Sequence, residues 1–238
     1  MAYRRALLKL SGEAFMGEAA FGIAEVVVRD MAQQIKAAHD AGLQLGVVVG
    51  GGNFIRGSTF QQQGLDRVAA DQMGMLATAI NGIALQNALE QEGVETRMQS
   101  AIEMRSVCEP LIVRRALRHL EKGRVVIFVA GTGAPFVTTD TAAVLRAAEI
   151  KAEILFKATN VDGVYDKDPR TNHDAEVYSE LDYSDVIRRQ LRVMDLTAVS
   201  LAQDRDLPLR VFNLKREGNI AQALLGEPLG TLVRRVEE

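Results

Sequence analysis

The sequence has one cysteine, no tryptophan and five prolines among its 238 residues. The single thiol, Cys108, excludes an internal disulfide framework and any zinc site built from several cysteines. Positive and negative charges nearly balance, with 28 Lys and Arg against 31 Asp and Glu, and no block of basic residues stands out. This balance argues against a protein whose general role is to bind nucleic acid.

Long apolar runs are lacking as well. No stretch approaches the roughly 20 consecutive apolar residues that cross a bilayer, and the apolar run near the N-terminus is too short for the central region of a signal peptide. The overall composition, 47% hydrophobic and 25% charged, is typical of a soluble globular protein. We therefore expect a soluble, cytoplasmic protein that needs no membrane.

Short apolar runs rich in β-branched residues alternate with longer segments of helical period. The strand candidates are 6–10, 43–49, 124–130 and 153–159, with weaker ones at 96–102 and 207–213. The four clear runs are apolar on both faces, as in parallel strands that helices cover. The alternation predicts an α/β fold, a single-domain, three-layer sandwich around a mainly parallel, doubly wound sheet.

Helical segments fill the intervals between these strands. Residues 24–41 and 65–92 are expected to form helices that end at Gly42 and Gly93. The second segment carries an apolar stripe at three-four-three spacing, made of Met73, Leu76, Ile80 and Ile83. Pro110 suits the first position of a further helix that stops at Gly123. Two more helical regions are expected at 139–152 and 184–205, and the polar, turn-rich segment 163–172 is typical of a functional loop.

Glycine-rich turns follow three predicted strands, at 9–13, 50–57 and 131–136. At the carboxyl ends of parallel strands, such turns let the backbone approach an anion and present N–H groups to it. Neither familiar phosphate pattern is present. Glu18 stands where a P-loop needs lysine, and Phe136 stands where the dinucleotide pattern needs its third glycine.

Cations accompany the first two turns. Lys9 interrupts an apolar strand directly before Ser11 and Gly12, and Arg56 follows the triple glycine. Both suit phosphate oxygens, and phosphoryl transfer depends on positioning and on positive charge at the transferred group. The alternative is that both are surface charges, which fits Lys9 less well because it lies in an apolar strand.

Six segments together resemble the bacterial uridylate kinases of the amino acid kinase family. They are KLSGEA (9–14), GVVVGGGNFIRG (46–57), DQMGMLATAING (71–82), AGTGAPFVTTDTAA (130–143), KATNVDGVYDKDP (157–169) and VMDLTA (193–198). The resemblance runs in order along almost the whole chain. It implies the amino acid kinase fold and transfer of the ATP γ-phosphoryl group to UMP in pyrimidine nucleotide biosynthesis, with Mg²⁺ accompanying ATP.

The resemblance also implies roles for individual residues. The implied ATP site comprises Lys9, Leu10, Ser11, Gly12, Gly52, Arg56, Thr159, Asn160, Tyr165 and Asp168. The implied UMP site comprises Gly51, Asp71, Thr132, Gly133, Ala134, Pro135, Phe136, Val137, Thr138 and Thr139. In the single domain 1–238, the N-terminal part is expected to bind mainly UMP and the C-terminal part mainly ATP. Lys9 and Arg56 are the implied transition-state cations, and no metal site formed by protein side chains alone is expected.

Several of these residues have a second interpretation. Asp71 suits ribose hydroxyls or a helix N-terminus, and Thr138 and Thr139 suit a nucleotide or an N-cap. Asp140 is a candidate catalytic residue that either positions Mg²⁺ or organises its loop. Tyr165 is suited to packing on adenine or on the protein itself.

Regulation and assembly are implied by the resemblance alone: a homohexamer activated by GTP and inhibited by UTP. The implied GTP region comprises Gly17, Glu18, Ala19, Ala20, Phe21 and Gly22. From its residues, this segment is a glycine-bounded loop beside the ATP turn. The alternative is an ordinary connection in which Phe21 caps the core.

Two other functions compete with this interpretation. A kinase of the same fold acting on a carboxylate or carbamate would need basic residues where the small, neutral, hydroxyl-rich segment 131–140 stands. A nucleotide sensor without catalysis is disfavoured because both Lys9 and Arg56 are present.

Overall fold

A computed structural model describes residues 2–55, 66–191 and 193–236. The strands are β1 (Arg5–Leu10), β2 (Gln44–Val49), β3 (Thr96–Ser100), β4 (Glu109–Pro110), β5 (Val125–Val129), β6 (Ile154–Thr159), β7 (Glu180–Asp182), β8 (Leu209–Asn213) and β9 (Thr231–Arg234). The helices are α1 (Glu25–Asp40), α2 (Arg67–Gln91), α3 (Val113–Glu121), α4 (Thr139–Glu149), α5 (Tyr183–Arg188), α6 (Leu196–Asp204) and α7 (Asn219–Leu225). A 3₁₀ turn, Gly12–Phe15, follows β1.

The strands form one sheet in the order β4-β3-β5-β2-β1-β6-β8-β9-β7. Every neighbouring pair is parallel except β8 and β9. Helices α1, α2 and α7 cover one face, and α3, α4, α5 and α6 cover the other. The prediction of a three-layer α/β fold around a mainly parallel sheet is confirmed, since the central strands are apolar on both faces and need cover on both.

The predicted strands are all present, but two helix predictions need correction. Pro110 does not begin a helix: it lies in the short strand β4, opposite Ser100, and α3 begins at Val113. An edge strand tolerates proline because a missing N–H costs it little there. The helical region expected over 184–205 is interrupted: it forms two helices, and Asp195 caps the second by accepting from Ala198 N. Strands β4, β7 and β9 and helix α7 were not predicted.

The apolar stripe of α2 faces outward instead of into the core. Met73, Leu76, Ile80 and Ile83 are 37%, 50%, 47% and 47% exposed, whereas Met75, Ala79, Leu85 and Leu89 are buried on the other side of the helix. Among the described helices, α2 is also the one long and apolar enough to cross a membrane by length and composition. It packs, however, against α1, β3 and β5 as a layer of the domain.

Candidate active site

Four neighbouring strands, in the order β5-β2-β1-β6, end at the same edge of the sheet. The three predicted glycine turns follow β1, β2 and β5, and the motif segment 157–169 continues from β6. Ligands of open parallel sheets bind in the crevice outside the carboxyl ends of the strands. The sheet topology therefore brings the predicted segments to one edge.

The turns after β1 and β2 are in direct backbone contact. Gly50 N donates to Leu10 O at 2.9 Å, and a Cβ on Gly12 would lie 2.2 Å from Gly52 N. Gly51 approaches α2 in the same way, since its Cβ would lie 2.6 Å from Gly74 O. Glycine is required at these positions because backbone from three elements converges there.

A buried pair of asparagines fixes the β2 turn. Asn53 and Asn81 are 2% and 0% exposed, and each amide donates to the other's carbonyl, at 2.8 and 2.7 Å. Asn81 Nδ2 also donates to Gly50 O at 2.7 Å, and Asn53 Nδ2 donates to Gly22 O at 2.9 Å. The pair thus joins α2, the β2 turn and the end of segment 17–22.

Segment 17–22 lies against the same turn. Gly22 N donates to Asn53 O at 3.2 Å, and the Phe21 ring meets Phe54 edge-on with centroids 5.2 Å apart. Phe21 is 67% exposed. The alternative in which Phe21 caps the core is therefore wrong.

The loop after β5 begins with a strained residue that α2 holds in place. Ala130 has φ +62°, a left-handed conformation unfavourable for residues other than glycine. Its N–H donates to Thr78 Oγ1 at 2.6 Å, and the Thr78 hydroxyl donates in turn to Met75 O at 2.6 Å. The buried Thr78 satisfies the only donor of Ala130 and sets where the loop starts.

Asp71 anchors the far side of the same loop. Its Oδ2 accepts from Phe136 N at 2.8 Å, and both carboxylate oxygens accept from Arg67 Nε at 3.0 and 2.9 Å. Phe136 has φ +67°, so the loop carries left-handed residues near each end. Asp71 is thus not a helix cap: Asp66 caps α2, accepting from Val68 N and Ala69 N.

Between this loop, the β2 turn and α2 lies a cavity of about 300 Å³. Its lining includes seven of the ten residues of the predicted UMP site. The lining residues are Gly51, Gly52, Ile55, Arg67, Ala70, Asp71, Gly74, Met75, Thr78, Ala130, Gly131, Thr132, Ala134, Val137, Thr138 and Thr139. Gly133, Pro135 and Phe136 belong to the same loop without lining the cavity.

Lys9, Lys157 and Asp140 form a buried ionic cluster beside the cavity. Lys9 Nζ lies 2.9 Å from Asp140 Oδ1, and Lys157 Nζ lies 2.7 Å from Asp140 Oδ2. Burial alone raises the pKa of Asp140, but the two ammonium groups together outweigh burial, so that the pKa lies below its usual value. Asp140 is therefore ionised at neutral pH and organises two cations.

A second carboxylate links the loop to α6. Asp195 accepts hydrogen bonds from the hydroxyls of Thr138 and Thr141, the latter at 3.0 Å. Thr138 also caps α4, since its hydroxyl accepts from Asp140 N at 3.1 Å. The N-cap interpretation of Thr138 is thus correct, and Thr138 lines the cavity as well.

The predicted adenosine residues continue from the end of β6. Thr159 is the last residue of β6 and its carbonyl accepts from Leu214 N at 2.8 Å; Asn160 follows it. Tyr165 is half-buried and forms an isolated antiparallel bridge with Val177. Asp168 accepts from the Arg170 guanidinium at 2.8 Å.

Arg56 lies outside the described residues. Sequence reasoning also left several site residues without a role: Thr78, Asn53, Asn81, Lys157 and Asp195. Lys157 could have been predicted from the sequence, because it interrupts an apolar strand near its carboxyl end as Lys9 does.

Comparisons with known proteins agree with this geometry. The family model for the amino acid kinase family matches residues 4–213. The uridylate kinase of Erythrobacter litoralis (strain HTCC2594) is 54% identical over 97% of this chain and 97% of its own. The crystal structure of UMP kinase from Bacillus anthracis has a TM-score of 0.96 at 39% identity, covering 100% of this chain and 98% of that one.

A second solved structure, UMP kinase from Ureaplasma parvum, has a TM-score of 0.93 at 37% identity and covers 99% of this chain and 100% of that one. Both the sequence match and the structural matches extend over essentially the full length of each protein. The chain therefore belongs to the amino acid kinase family and, within it, to the uridylate kinases.

Proposed function

We propose that the chain transfers the γ-phosphoryl group of ATP to UMP, giving UDP and ADP, at the edge where the glycine turns meet the cavity. The observation that carries the proposal is the position of Lys9. Its buried ammonium is held by Asp140, the residue directly after the cavity-lining Thr139. A fixed cation beside a cavity of small-molecule size supplies positive charge where phosphoryl transfer needs it.

The cavity is the UMP site in this proposal. Its charged lining residues are Arg67 and Asp71, and the loop side offers the hydroxyls of Thr132, Thr138 and Thr139. The Asp71 carboxylate has acceptor capacity for ribose hydroxyls in addition to the Phe136 N–H. Hydroxyls and backbone groups suit a uracil ring, and the Arg67 guanidinium suits a phosphate.

ATP binds on the other side of Lys9 in this proposal. The backbone of Leu10, Ser11, Gly12 and Gly52 faces the phosphates, together with Lys9 and Arg56. Thr159, Asn160, Tyr165 and Asp168 hold the adenosine. The N-terminal part of the domain then binds mainly UMP and the C-terminal part mainly ATP.

Mg²⁺ enters as part of the ATP substrate. The described residues contain no group of three or more His, Cys, Asp or Glu side chains that could hold a metal ion, and Asp140 already faces two lysines. Mg²⁺ commonly keeps several waters and binds through substrate phosphates with one or two carboxylates. Such a metal needs no dedicated protein cage, and when bound it neutralises phosphate charge.

The direct test is an assay of ADP release with ATP, Mg²⁺ and one candidate acceptor at a time. The acceptors are UMP, CMP, dUMP, aspartate and acetylglutamate. We expect turnover with UMP well above that with all the others. Turnover with an amino acid instead, or ATP binding without any ADP release, would refute the proposal.

Variants then test the two cations. Lys9→Ala and Arg56→Ala should each lower kcat by roughly 10²–10³, the scale for losing one preorganised charge at a transition state. Lys36→Ala is the matched control, because Lys36 makes an i,i+4 ion pair with Asp40 on α1, away from the site. A kcat near the wild-type value would remove that cation from the mechanism.

We also propose a homohexamer, which the outward stripe of α2 supports. Four large apolar side chains at three-four-three spacing are 37–50% exposed on one helix face, the pattern with which two antiparallel helices pack. Two copies can meet through this face about a two-fold axis, and such a contact is one of the interfaces of a hexamer with D3 symmetry.

Light scattering measures the assembly. Ile80→Glu should reduce the mass of the wild-type oligomer, because it places a charge in the middle of the stripe. Leu225→Glu, at a 41% exposed position on α7, should leave the mass unchanged. A monomeric wild-type protein would rule out the hexamer while leaving the kinase proposal intact.

We further propose activation by GTP through segment 17–22 and inhibition by UTP, an end product of cytoplasmic pyrimidine synthesis. The Gly22–Asn53–Asn81–Gly50 hydrogen bonds support this route, because they join the segment to the β2 turn. Coupling free energies of about 1–3 kcal/mol limit the effect of GTP to roughly 5–150-fold.

A titration of initial rate with GTP at fixed UMP tests the regulatory proposal. Phe21→Ala should keep the basal rate and lose most of the GTP response, since Phe21 is exposed and outside the substrate sites. A hexamer indifferent to both GTP and UTP would contradict it.

A further inference from the structure

Lys157 occupies the same register position as Lys9 on the neighbouring strand. Lys9 of β1 pairs directly with Lys157 of β6, and paired residues of parallel strands project from the same face of the sheet. Both side chains are almost completely enclosed, at 10% and 14% exposure. The two lysine side chains are therefore neighbours on one face of the sheet, and both contact the Asp140 carboxylate.

Each ammonium group contacts a different oxygen of Asp140. Lys9 Nζ contacts Oδ1 and Lys157 Nζ contacts Oδ2. Lys157 Nζ also donates to Val193 O at 2.5 Å, two residues before Asp195, the carboxylate that holds Thr138 and Thr141. Lys157 is thus bonded to both the start of α4 and the segment that leads into α6.

Burying a second lysine costs desolvation free energy that an apolar side chain of similar size would not cost. A lysine at this position therefore points to a role that requires its charge. With Lys157 present, Asp140 is held through one oxygen and shared between two cations. Without it, Asp140 would pair with Lys9 alone, and both of its oxygens could turn toward the Lys9 ammonium. In that arrangement Asp140 competes with the transferred phosphoryl group for the Lys9 ammonium.

We infer that Lys157 is a positioning residue for phosphoryl transfer: it fixes Asp140 so that the Lys9 ammonium points at the reacting phosphoryl group. Lys157 acts through Asp140 and Lys9 and does not itself need to touch either nucleotide. This inference rests on the proposed role of Lys9 in the uridylate kinase reaction.

The test compares Lys157→Met with wild type. Methionine keeps the length and the apolar stem of the side chain but removes its charge and donors. We expect kcat to fall by about 10–100-fold, the scale of misplacing a reacting group, with the KM for ATP and for UMP within about threefold of wild type. A transition-state effect lowers kcat and leaves KM nearly unchanged.

Two further measurements separate positioning from a structural role. In Lys157→Ala, added ethylamine should restore at least a tenth of the wild-type kcat, because the ammonium can re-enter the space beside Asp140. A merely structural defect would not respond to the amine. In the Asp140→Asn background, Lys157→Met should cause less than a threefold further loss of kcat, because Lys157 acts through Asp140.

The outcomes are distinguishable. If wild type releases no ADP from ATP and UMP, the proposed function fails. If wild type is active and Lys157→Met keeps a kcat within twofold of it, the inference about Lys157 is overturned. The inference is also overturned if the kcat of the double variant falls by the product of the two single-variant losses. It is overturned as well if ethylamine does not restore kcat in a folded Lys157→Ala protein. The double variant removes both opposite charges, so it remains measurable if a single variant does not fold.

Discussion

Gly12→Ala is the perturbation whose consequence follows most directly from the structure. The new Cβ would lie 2.2 Å from Gly52 N and 2.7 Å from Gly51 C, whereas ordinary contact begins near 3.4 Å. Those atoms are backbone, and the turn that contains them is fixed by the bonds from Gly50 N to Leu10 O and from Asn81 Nδ2 to Gly50 O. The two turns must therefore separate.

Overpacking of this kind typically costs about 1–3 kcal/mol of unfolding free energy. For a domain of this size each kcal/mol lowers Tm by about 2–4 °C, so we expect a decrease of roughly 2–12 °C. Separating the turns also displaces the proposed phosphate-binding backbone from Lys9. A displacement near 1 Å lowers catalytic efficiency by about 10²-fold, measured as kcat/KM for ATP.

Gly52→Ala is the matched control on the opposite turn. Its Cβ would have Glu13 Cγ as nearest neighbour at 3.9 Å, an ordinary contact. We expect a Tm within about 2 °C of wild type together with a reduced kcat/KM for ATP, because the methyl group lies where the phosphates approach. A Gly12→Ala protein with unchanged Tm and unchanged kcat/KM would refute the reasoning about the contact between the turns.

Three further predictions concern single polar groups. Asp71→Asn should raise the KM for UMP roughly tenfold and the KM for ATP little, because the amide has one acceptor oxygen for the Phe136 N–H and for ribose; equal increases would give Asp71 a structural role only. Thr78→Val should lower the unfolding free energy by about 1–3 kcal/mol in urea, since it leaves the Ala130 N–H buried without a partner; an unchanged midpoint would contradict this. Asp140 has a lowered pKa, so its ionised form stabilises the native state above the unfolded pKa of about 4, and this stabilisation is lost as pH falls through the native pKa. The Tm difference between wild type and Asp140→Asn should therefore shrink below about pH 4, and a gap that stays constant with pH would disprove it.

The sheet and its glycine turns could be predicted because they depend on local pattern. Runs such as 43–49 are apolar on both faces, which is a property of the segment itself. Strands β7 and β9 are three and four residues long, and their pairing depends on partners distant in the chain, so no local signal identifies them. The same holds for the approach of Gly12 to Gly52.

Periodicity predicted a helix over 65–92 but could not say which face is buried. The stripe of large apolar residues faces outward, while the inner face uses small residues such as Ala77, Ala79 and Gly82. Small residues allow close packing: a Cβ on Gly82 would lie 2.5 Å from Val129 Cγ1. Large apolar residues lie on both sides of this helix, since Met75, Leu85 and Leu89 are buried, so residue size alone does not identify the buried face.

Lys9 was predicted from its position in an apolar strand, and the same reasoning applied to Lys157 would have found it. Asp140 was itself a candidate, but the sequence could not show that the two lysines share its carboxylate. Asp140 lies 131 positions after Lys9 in the numbering and meets it only because β1 and β6 are neighbours and α4 begins at their carboxyl ends.

Helix α2 lines the cavity with one side and carries the exposed apolar stripe on the opposite side. Asp71, Met75 and Thr78 line the cavity, and the exposed stripe lies on the other side of the same cylinder, which is about 10 Å across with its side chains. A second protomer that packs on the stripe would therefore be separated from the cavity by the width of one helix. If the proposed oligomer forms through this stripe and pairing stiffens α2, occupancy of the cavity and self-association are linked equilibria, and each favours the other by the same factor. In such a linked system the apparent affinity for the proposed acceptor nucleotide would depend on enzyme concentration, and assays at nanomolar and micromolar protein would give different constants.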